Sequence, residues 1–398
     1  MKNKISSLLI GSLSYCFSLI GDQYTTPIEK LSESSFNMAS KIYQMNHDKA
    51  LVFSPYSVFS SLAMVYEGSS GDTEKELAKM LSISVPKENL SPLANIWKTY
   101  LLANPSLELA NALWIQNDFM ILPSFQTSME YDYQAGLYSL DFQRAEEASQ
   151  TINEWVSEKT HNMIPKFLDA SDLNDATRLI TMSTLFFKEN WKKSFISIGA
   201  YPFDTKAGIV FVKMMRKVET CDYAENDQLQ MASIPLESGQ ASLVVVLPKN
   251  EESMQEFEEK LSNELFQSLL SSASPQMLHI EMPKFQLKQK TDLAKLFIES
   301  GATLPFSENA DFSGINGARN LCIDNILHAA AFVLDEQGIK ASAVTGTSLG
   351  LTSFPIEPEG LTRFIANRPF LFFLIDTGSK TVLMMGKFQP PINDELSH

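Results

Sequence analysis

Hydrophobic residues recur at helical spacing in the first half of the chain. Apolar positions separated by three and four residues predict a helix over residues 28–43. Ser54 and Pro55 supply an N-cap and a first-turn proline for a second helix over residues 58–66. Residues 73 and 76, a threonine and a glutamate, have the spacing of a capping box that opens a third helix. The N-terminal part is therefore expected to be mainly helical.

Continuous apolar runs, which are typical of strands covered on both faces of a sheet, dominate the second half. A helix is still predicted around residues 254–269, so helices and strands do not alternate strictly. This order predicts an α+β fold around a large sheet rather than a doubly wound fold. No long linker or fixed-period repeat interrupts residues 28–392, and we expect one continuous domain. The predicted strands cover residues 179–187, 242–247, 280–287, 329–334, 370–375 and 382–385.

The first 21 residues differ in composition from the rest. Two lysines precede an apolar run over residues 5–20, and polar residues follow it. This is the layout of a secretory signal, and the run is shorter than the roughly 20 residues that span a bilayer. We expect a signal peptide over residues 1–21, with cleavage between Ser18 and Gly21, and a secreted, extracellular domain over residues 22–398.

Cleavage of the signal would leave two cysteines, Cys221 and Cys322, in the mature chain. Two thiols do not form a disulfide framework, so a single pair and two free thiols both remain open. In a secreted chain, the sequon that begins at Asn89 predicts a glycoprotein modified at that residue.

The formal net charge of −15 limits the kinds of partner that the chain can bind. Its lysine and arginine residues are scattered rather than clustered. Such a chain repels nucleic acid, acidic membranes and heparin-like polyanions, and none of these is expected as a partner.

A possible catalytic motif occurs at residues 346–350, where Gly-Thr-Ser-Leu-Gly has the pattern of a hydrolase nucleophile elbow. That elbow needs a preceding strand and a following helix, and Pro355 and Pro358 prevent the helix. The five histidines show no metal-ligand spacing. The sequence therefore predicts no enzyme, no metal and no cofactor.

Residues 335–360 are unusual for a compact domain, because small uncharged residues run between an acidic cluster and two prolines. Loops of this length are usually functional or disordered, and a flexible linker is one interpretation. The other is a strand that can lie either outside or inside a sheet, because alternate residues form one small, largely apolar face. That face comprises Ile339, Ala341, Ala343, Thr345, Thr347 and Leu349.

Seven short motifs stand in order between residues 28 and 390. They are Phe53-Ser54-Pro55-Tyr56-Ser57, Phe186-Phe187-Lys188 with Trp191, Pro283-Lys284-Phe285, Asp311-Phe312-Ser313-Gly314, His328-Ala329-Ala330, residues 366–372 and Gly386-Lys387-Phe388. In this order they resemble the signature stretches of the serpins, a family of serine protease inhibitors. No single motif is decisive, whereas the ordered set is highly specific.

The resemblance implies a single α+β serpin-type domain. We expect a large central mixed β-sheet, two further sheets and about eight or nine helices. An exposed reactive loop would occupy about residues 338–362, near the C-terminus. Serpins act as suicide substrates: a protease cleaves the loop, becomes acylated, and is trapped when the loop inserts into the central sheet. The chain is expected to be a monomer.

The resemblance also assigns site residues. Glu336 and Lys284 would form an ion pair at the top of the sheet, and Gly338 would be the hinge glycine. Ile339 occupies a position that usually carries a small threonine or serine, and a bulky residue there favours slow insertion and substrate-like turnover. The remaining assigned residues are Ala341, Ser342 and Ala343 in the hinge, and Trp191, Ser54, Ser57, His328 and Ser183 in the sheet-opening region. Ser183 stands in place of the family's usual asparagine.

Counting fourteen residues from Gly338 places the reactive bond at Thr352-Ser353, with Leu351 and Phe354 as alternative contact residues. Residues 341–362 contain no lysine or arginine, so a trypsin-like pocket would find no cation. Chymotrypsin-like or elastase-like targets are expected, and a cysteine protease is the alternative. A serpin without inhibitory activity, serving as carrier, storage protein or chaperone, is the second functional hypothesis.

Overall fold

Helices dominate the first half of the chain, as the hydrophobic pattern predicts. The computed structural model describes residues 27–45, 51–173, 177–340 and 360–390, and helix α1 covers residues 27–44. The further helices are α2 (Pro55–Glu67), α3 (Gly71–Leu81), α4 (Lys87–Leu101), α5 (Pro123–Tyr131), α6 (Ala145–Lys159), α7 (Glu251–Lys260), α8 (Asn263–Ser272), α9 (Leu293–Glu299) and α10 (Ser313–Asn316).

The strands form a six-stranded and a nine-stranded sheet within the described ranges. They are β1 (Leu51–Phe53), β2 (Leu107–Gln116), β3 (Ala135–Leu140), β4 (Leu179–Asn190), β5 (Ile196–Thr205), β6 (Gly208–Glu225), β7 (Leu229–Pro235), β8 (Ala241–Pro248), β9 (Ser274–Pro283), β10 (Phe285–Asp292), β11 (Asn325–Leu334), β12 (Gly338–Lys340), β13 (Thr362–Ile365), β14 (Phe370–Asp376) and β15 (Val382–Phe388). The six-stranded sheet has the order β10-β11-β12-β4-β2-β3 and is the central sheet. The nine-stranded sheet has the order β1-β15-β14-β8-β7-β6-β9-β13, with β5 added beside β6.

Besides the central sheet, two further sheets were expected, and strand β6 joins the strands outside the central sheet into one continuous sheet. Its 18 residues pair with β5 near their start and with β7 near their end, while β9 pairs along the middle. Strands β8, β14 and β15 are buried at every residue, as predicted for continuous apolar runs. The α+β single-domain prediction is confirmed.

Helix α2 lies in the core because its sequence leaves no polar face. Ser54 is the N-cap, and its side chain accepts a hydrogen bond from the backbone N–H of Ser57, while Pro55 occupies the first turn. Residues 55–66 are all buried. The helix contacts β4 of the central sheet and β15 of the larger sheet, so it separates the two sheets at this end.

Phenylalanine rings join the two sheets directly. Phe332 on β11 stacks on Phe372 of β14 with ring centres 4.6 Å apart, and Phe285 on β10 stacks on Phe388 of β15 at 4.4 Å. Phe285 also approaches Phe372 at 5.5 Å, which makes one continuous aromatic layer. This layer fixes β10 and β11 of the central sheet against the nine-stranded sheet.

Helix α6 covers the other face of the central sheet. Its buried residues Ile152, Trp155 and Val156 belong to a second hydrophobic cluster that includes Ile180 and Met182 of β4. The central sheet is therefore covered on both faces in the region of β4.

Three local predictions were wrong, the first because tertiary partners outweighed a local pattern and the second because a local cap was overlooked. Thr73 and Glu76 form no capping box: their side-chain oxygens accept backbone N–H groups of residues 311 and 304, and α3 begins earlier, at Gly71. The helix predicted over residues 254–269 is divided between α7 and α8, because Ser262 caps a new helix. The strand predicted over residues 280–287 is two strands, β9 and β10, in different sheets.

Both cysteines of the described chain are free thiols. Cys221 is buried and Cys322 is partly buried. Burial raises the pKa of Cys221 to about 12 and that of Cys322 to about 11, so both remain protonated near neutral pH. Of the two alternatives that the sequence left open, the structure has the unpaired one.

The aromatic layer gives a first testable prediction. Phe372→Ala should lower the free energy of unfolding by about 3–5 kcal/mol, because it removes a fully buried ring from a close-packed interface. Phe211→Ala, at a residue that is 71% exposed, should change it by less than about 0.5 kcal/mol. Urea unfolding curves of both variants measure the difference, and equal losses would show that the layer does not hold the sheets together.

Candidate functional site

The centre of the six-stranded sheet contains two parallel strands that are only partly joined. Strands β4 and β11 pair directly at Ile180 with Asn325 and at Thr181 with Ile326. In the described part of the chain, this ladder extends no further toward the top of the sheet. There β12 lies between the same two strands and is antiparallel to both.

Strand β12 is three residues long and occupies the upper end of this slot. Ile339 pairs with Glu189 of β4 and with Leu334 of β11, and its side chain is 1% exposed. Gly338 has no room for a side chain, because a Cβ atom would lie 2.2 Å from the carbonyl oxygen of Glu189. Glycine is therefore required here by close approach of the backbones. Ile339 lies on the inward face that the period-two pattern predicted.

A tight turn connects β11 to β12. The backbone N–H of Asp335 donates to the carbonyl of Gly338, while its carboxylate accepts the N–H groups of Gln337 and Gly338. Side-chain acceptance of this kind is the usual way in which aspartate stabilises a turn. The turn is thus already formed at the start of the segment that the sequence predicts to be reactive.

Two aromatic residues hold the outside of this turn. Trp191 donates its backbone N–H to the carbonyl of Gln337 at 2.9 Å and its indole N–H to the carbonyl of Asp335 at 2.8 Å. Phe195 donates its backbone N–H to the carbonyl of Glu336 at 2.8 Å. Three hydrogen bonds therefore fix the turn between β11 and β12 to the chain that follows β4.

Glu336 and Lys284 form an ion pair beside the turn, with Lys284 Nζ 2.7 Å from Glu336 Oε1. Burial raises the pKa of Glu336, but the hydrogen bond and charge of Lys284 outweigh it, so the pKa lies below its ordinary value. The carboxylate side chain is 9% exposed, and that of the lysine is 32% exposed. The pair links the turn to the start of β10.

The sheet-opening region lies below, between α2 and the central sheet. His328 of β11 accepts the backbone N–H of Ser54 on its Nε2 atom at 3.0 Å. Ser57 and Ser183 are also buried, and among the described residues their hydroxyl oxygens find no hydrogen-bond partner. Buried polar groups are normally paired, so these two hydroxyl groups are exceptions to the rule.

Some predicted site residues cannot be placed in this geometry. Ala341, Ser342 and Ala343 of the hinge lie outside the described residues, as do Thr352, Ser353, Leu351 and Phe354 of the expected reactive bond. The expected signal peptide over residues 1–21 lies outside them too. Asn89, where the sequence predicts glycosylation, is exposed in the first turn of α4.

Sequence reasoning missed Asp335, Gln337 and Phe195. An aspartate three residues before a glycine is a turn signal that could have indicated the first two. Phe195 carries no such signal, because its contribution is a backbone N–H that only the fold brings to Glu336.

No cofactor or metal site stands out in the described ranges. There, no group of three or more histidine, cysteine, aspartate or glutamate side chains could hold a metal ion. No helix in those ranges is both long enough and apolar enough to cross a bilayer.

Comparison with known proteins agrees with the geometry. The family model for serpins, described as serine protease inhibitors, matches residues 29–391. The leukocyte elastase inhibitor of Xenopus tropicalis is 31% identical over 371 residues, covering 90% of this chain and 97% of that protein. Its human namesake is 30% identical over 387 residues, covering 92% and 100%. The crystal structure of mouse protein Z-dependent protease inhibitor has a TM-score of 0.80 at 23% identity, covering 94% and 100% of the chains.

In this chain, the central sheet already holds β12, the start of a long segment, between strands β4 and β11. It belongs to the serpin family of protease inhibitors.

The buried histidine gives a prediction about pH. Burial lowers the pKa of His328 from 6.5 to about 4, so the folded chain keeps this side chain neutral at a pH where the unfolded chain protonates it. The free energy of unfolding should therefore fall by about 2 kcal/mol between pH 7 and pH 5 through this group alone. Urea titrations of His328→Gln should lack that share of the decrease, whereas His161→Gln, at an exposed residue, should retain it. An unchanged pH dependence in His328→Gln would contradict the assignment.

Proposed function

We propose that this serpin is a secreted inhibitor that traps its target protease by inserting its reactive segment between β4 and β11. The observation that carries the proposal is β12, because all three of its residues pair with β4 and two of them, Ile339 and Lys340, also pair with β11. Insertion would then require only that the segment continue along the slot in the same register. Strand addition of this kind converts an exposed segment into buried sheet.

The register of β12 predicts where the following residues would lie. Continued downward, it places Ala341 between Phe187 and Phe332, and Ala343 between Leu185 and Ala330. The same count brings Thr345 between Ser183 and His328. These residues share the inward face with Ile339, where small side chains fit and a charge would be buried without a partner.

The energetics favour a one-way process. Each new ladder hydrogen bond would contribute about 1 kcal/mol net, and roughly a dozen of them with side-chain burial make insertion effectively irreversible. Fourteen residues of strand would move an attached protease by roughly 45 Å. A misplacement of about 1 Å in an active site can reduce its rate a hundredfold, so distortion of the protease would preserve the acyl-enzyme. Inhibition would depend on insertion being faster than deacylation.

The targets proposed are chymotrypsin-like or elastase-like proteases, with a cysteine protease as the alternative. The absence of lysine and arginine from residues 341–362 disfavours a trypsin-like pocket. The names of the relatives, which are leukocyte elastase inhibitors, support the same class. Thr352-Ser353 is the proposed reactive bond, with contacts from Leu351 or Phe354 as alternatives.

Secretion is proposed on the sequence of residues 1–21 and their likeness to a signal peptide. Exposure of Asn89 is compatible with glycosylation, and the sequon's Ser91 is buried in α4. N-terminal sequencing of the mature protein from a secreting host tests signal cleavage. The mass of the peptide that contains Asn89 tests glycosylation.

Two features favour the second hypothesis, a non-inhibitory serpin that serves as carrier, storage protein or chaperone. Ile339 is bulky and buried at the start of the slot, and further down the hydroxyl of Ser183 has no hydrogen-bond partner in the described part of the chain. Both would slow insertion, and a slow insertion lets water release the cleaved segment as an ordinary product.

Incubation with chymotrypsin, elastase and trypsin separates the two hypotheses. We expect an SDS-stable complex with chymotrypsin or elastase and none with trypsin. Cleavage within residues 341–362 without any complex would support the non-inhibitory serpin and contradict trapping.

A substitution within the segment tests the insertion path. Ala343→Arg should abolish complex formation while leaving the rate of cleavage within about twofold, because a cation on the inward face would be buried without a partner. Glu357→Arg, beyond the expected reactive bond, is the matched control and should still form complex. Gel analysis of complex and nicked chain measures both, and normal trapping by Ala343→Arg would exclude the proposed register.

A further inference from the structure

Lys217 of β6 is a buried lysine at the top of the central sheet. Its side chain is 1% exposed, although lysine is seldom buried without a specific partner. The Nζ atom lies 4.9 Å from the ring centre of Trp191 and 4.5 Å from that of Phe195. The two rings are themselves in edge contact, with centres 5.3 Å apart. The ammonium group is therefore within cation–π range of both.

Two further groups contact the Nζ atom of the lysine. Glu219 Oε2 lies 2.5 Å from the Nζ atom, and the carbonyl of Lys193 accepts a hydrogen bond from it at 3.1 Å. Burial lowers the pKa of Lys217, and the hydrogen bond and charge of Glu219 oppose that shift. A buried ion pair often adds little to the free energy of unfolding compared with apolar residues of the same volume. We therefore look for the role of Lys217 in the positions of the residues that it contacts.

The two residues that carry these rings also bind the turn between β11 and β12. Trp191 and Phe195 are the residues that donate three hydrogen bonds to the turn between β11 and β12. Lys217 contacts both rings and also binds the carbonyl of Lys193, which lies between them in the sequence. It can therefore influence the turn by fixing the positions of Trp191 and Phe195.

We propose that Lys217 is a positioning residue that holds the turn from which the reactive segment extends into the central sheet. The inference rests on the function proposed above. With the turn held, insertion lengthens an existing hairpin by one residue at a time. Without it, the chain must first close the turn, and that closure costs conformational entropy before any new ladder bond forms.

The residue is predicted to affect the fate of the acyl-enzyme and not its formation. Lys217 is buried, so a protease that cleaves the exposed segment cannot touch it. A looser turn would slow insertion and leave more time for deacylation. The ratio of nicked chain to trapped complex should rise while the rate of cleavage stays the same.

The test is Lys217→Met in the full chain, with Lys98→Met as the matched control. Lys98 is also buried, at 3% exposure, but its Nζ atom binds the carbonyls of Tyr133 and Gln134, away from the turn. Both substitutions remove a buried ammonium group, so both should lower the melting temperature. Only Lys217→Met should raise the nicked-to-trapped ratio, by about two- to thirtyfold, which is the rate equivalent of a cation–π contact worth about 0.5–2 kcal/mol.

Two further variants keep the inference testable if Lys217→Met does not fold. Lys217→Arg retains a cation beside the rings and should restore the wild-type ratio. Phe195→Leu removes one ring and should raise the ratio in the same direction as Lys217→Met. Equal ratios in wild type, Lys217→Met and Phe195→Leu would overturn the positioning role while leaving inhibition intact. Failure of the wild type itself to form a complex with any protease would instead refute the proposed function.

Discussion

Pairing of β12 between β4 and β11 is the constraint on which the rest of the molecule depends. The two outer strands run parallel and join each other directly at two residue pairs near Ile180 and Thr181. An antiparallel strand fits between them without any change in their direction, and β12 already does so at the top. A strand edge with unpaired backbone groups is a template for a further strand. The expected reactive segment is the piece of chain that follows β12 at that place.

The surroundings of this slot differ from top to bottom. At the top, the turn after Leu334 is held by backbone hydrogen bonds, the Lys284–Glu336 ion pair and the rings next to Lys217. Lower down, the buried hydroxyl groups of Ser183 and Ser57 have no hydrogen-bond partner among the described residues. In the proposed mechanism, the turn at the top would stay in place while the segment extends along the slot.

Much of this arrangement could be predicted from the sequence, because local chemistry specified it. The Ser54 cap, the apolar runs of β8 and β14 and the alternation that places Ile339 inward follow from spacing alone. Lys217 could not be predicted, since a lysine in a strand normally indicates an exposed face and its two rings lie 22 and 26 residues away. The capping-box prediction at Thr73 was wrong although the spacing fits, because its hydroxyl oxygen accepts the backbone N–H of Asp311 instead.

The most direct test of the central claim is the thermal stability of the chain after a single cut in residues 341–359. A non-target protease can make the cut, and calorimetry can compare cut and intact protein. If the freed segment enters the slot, the cut protein should unfold about 10 °C or more above the intact protein, because a dozen ladder bonds are added. An unfolding temperature equal to or below that of the intact chain would show that no strand is inserted.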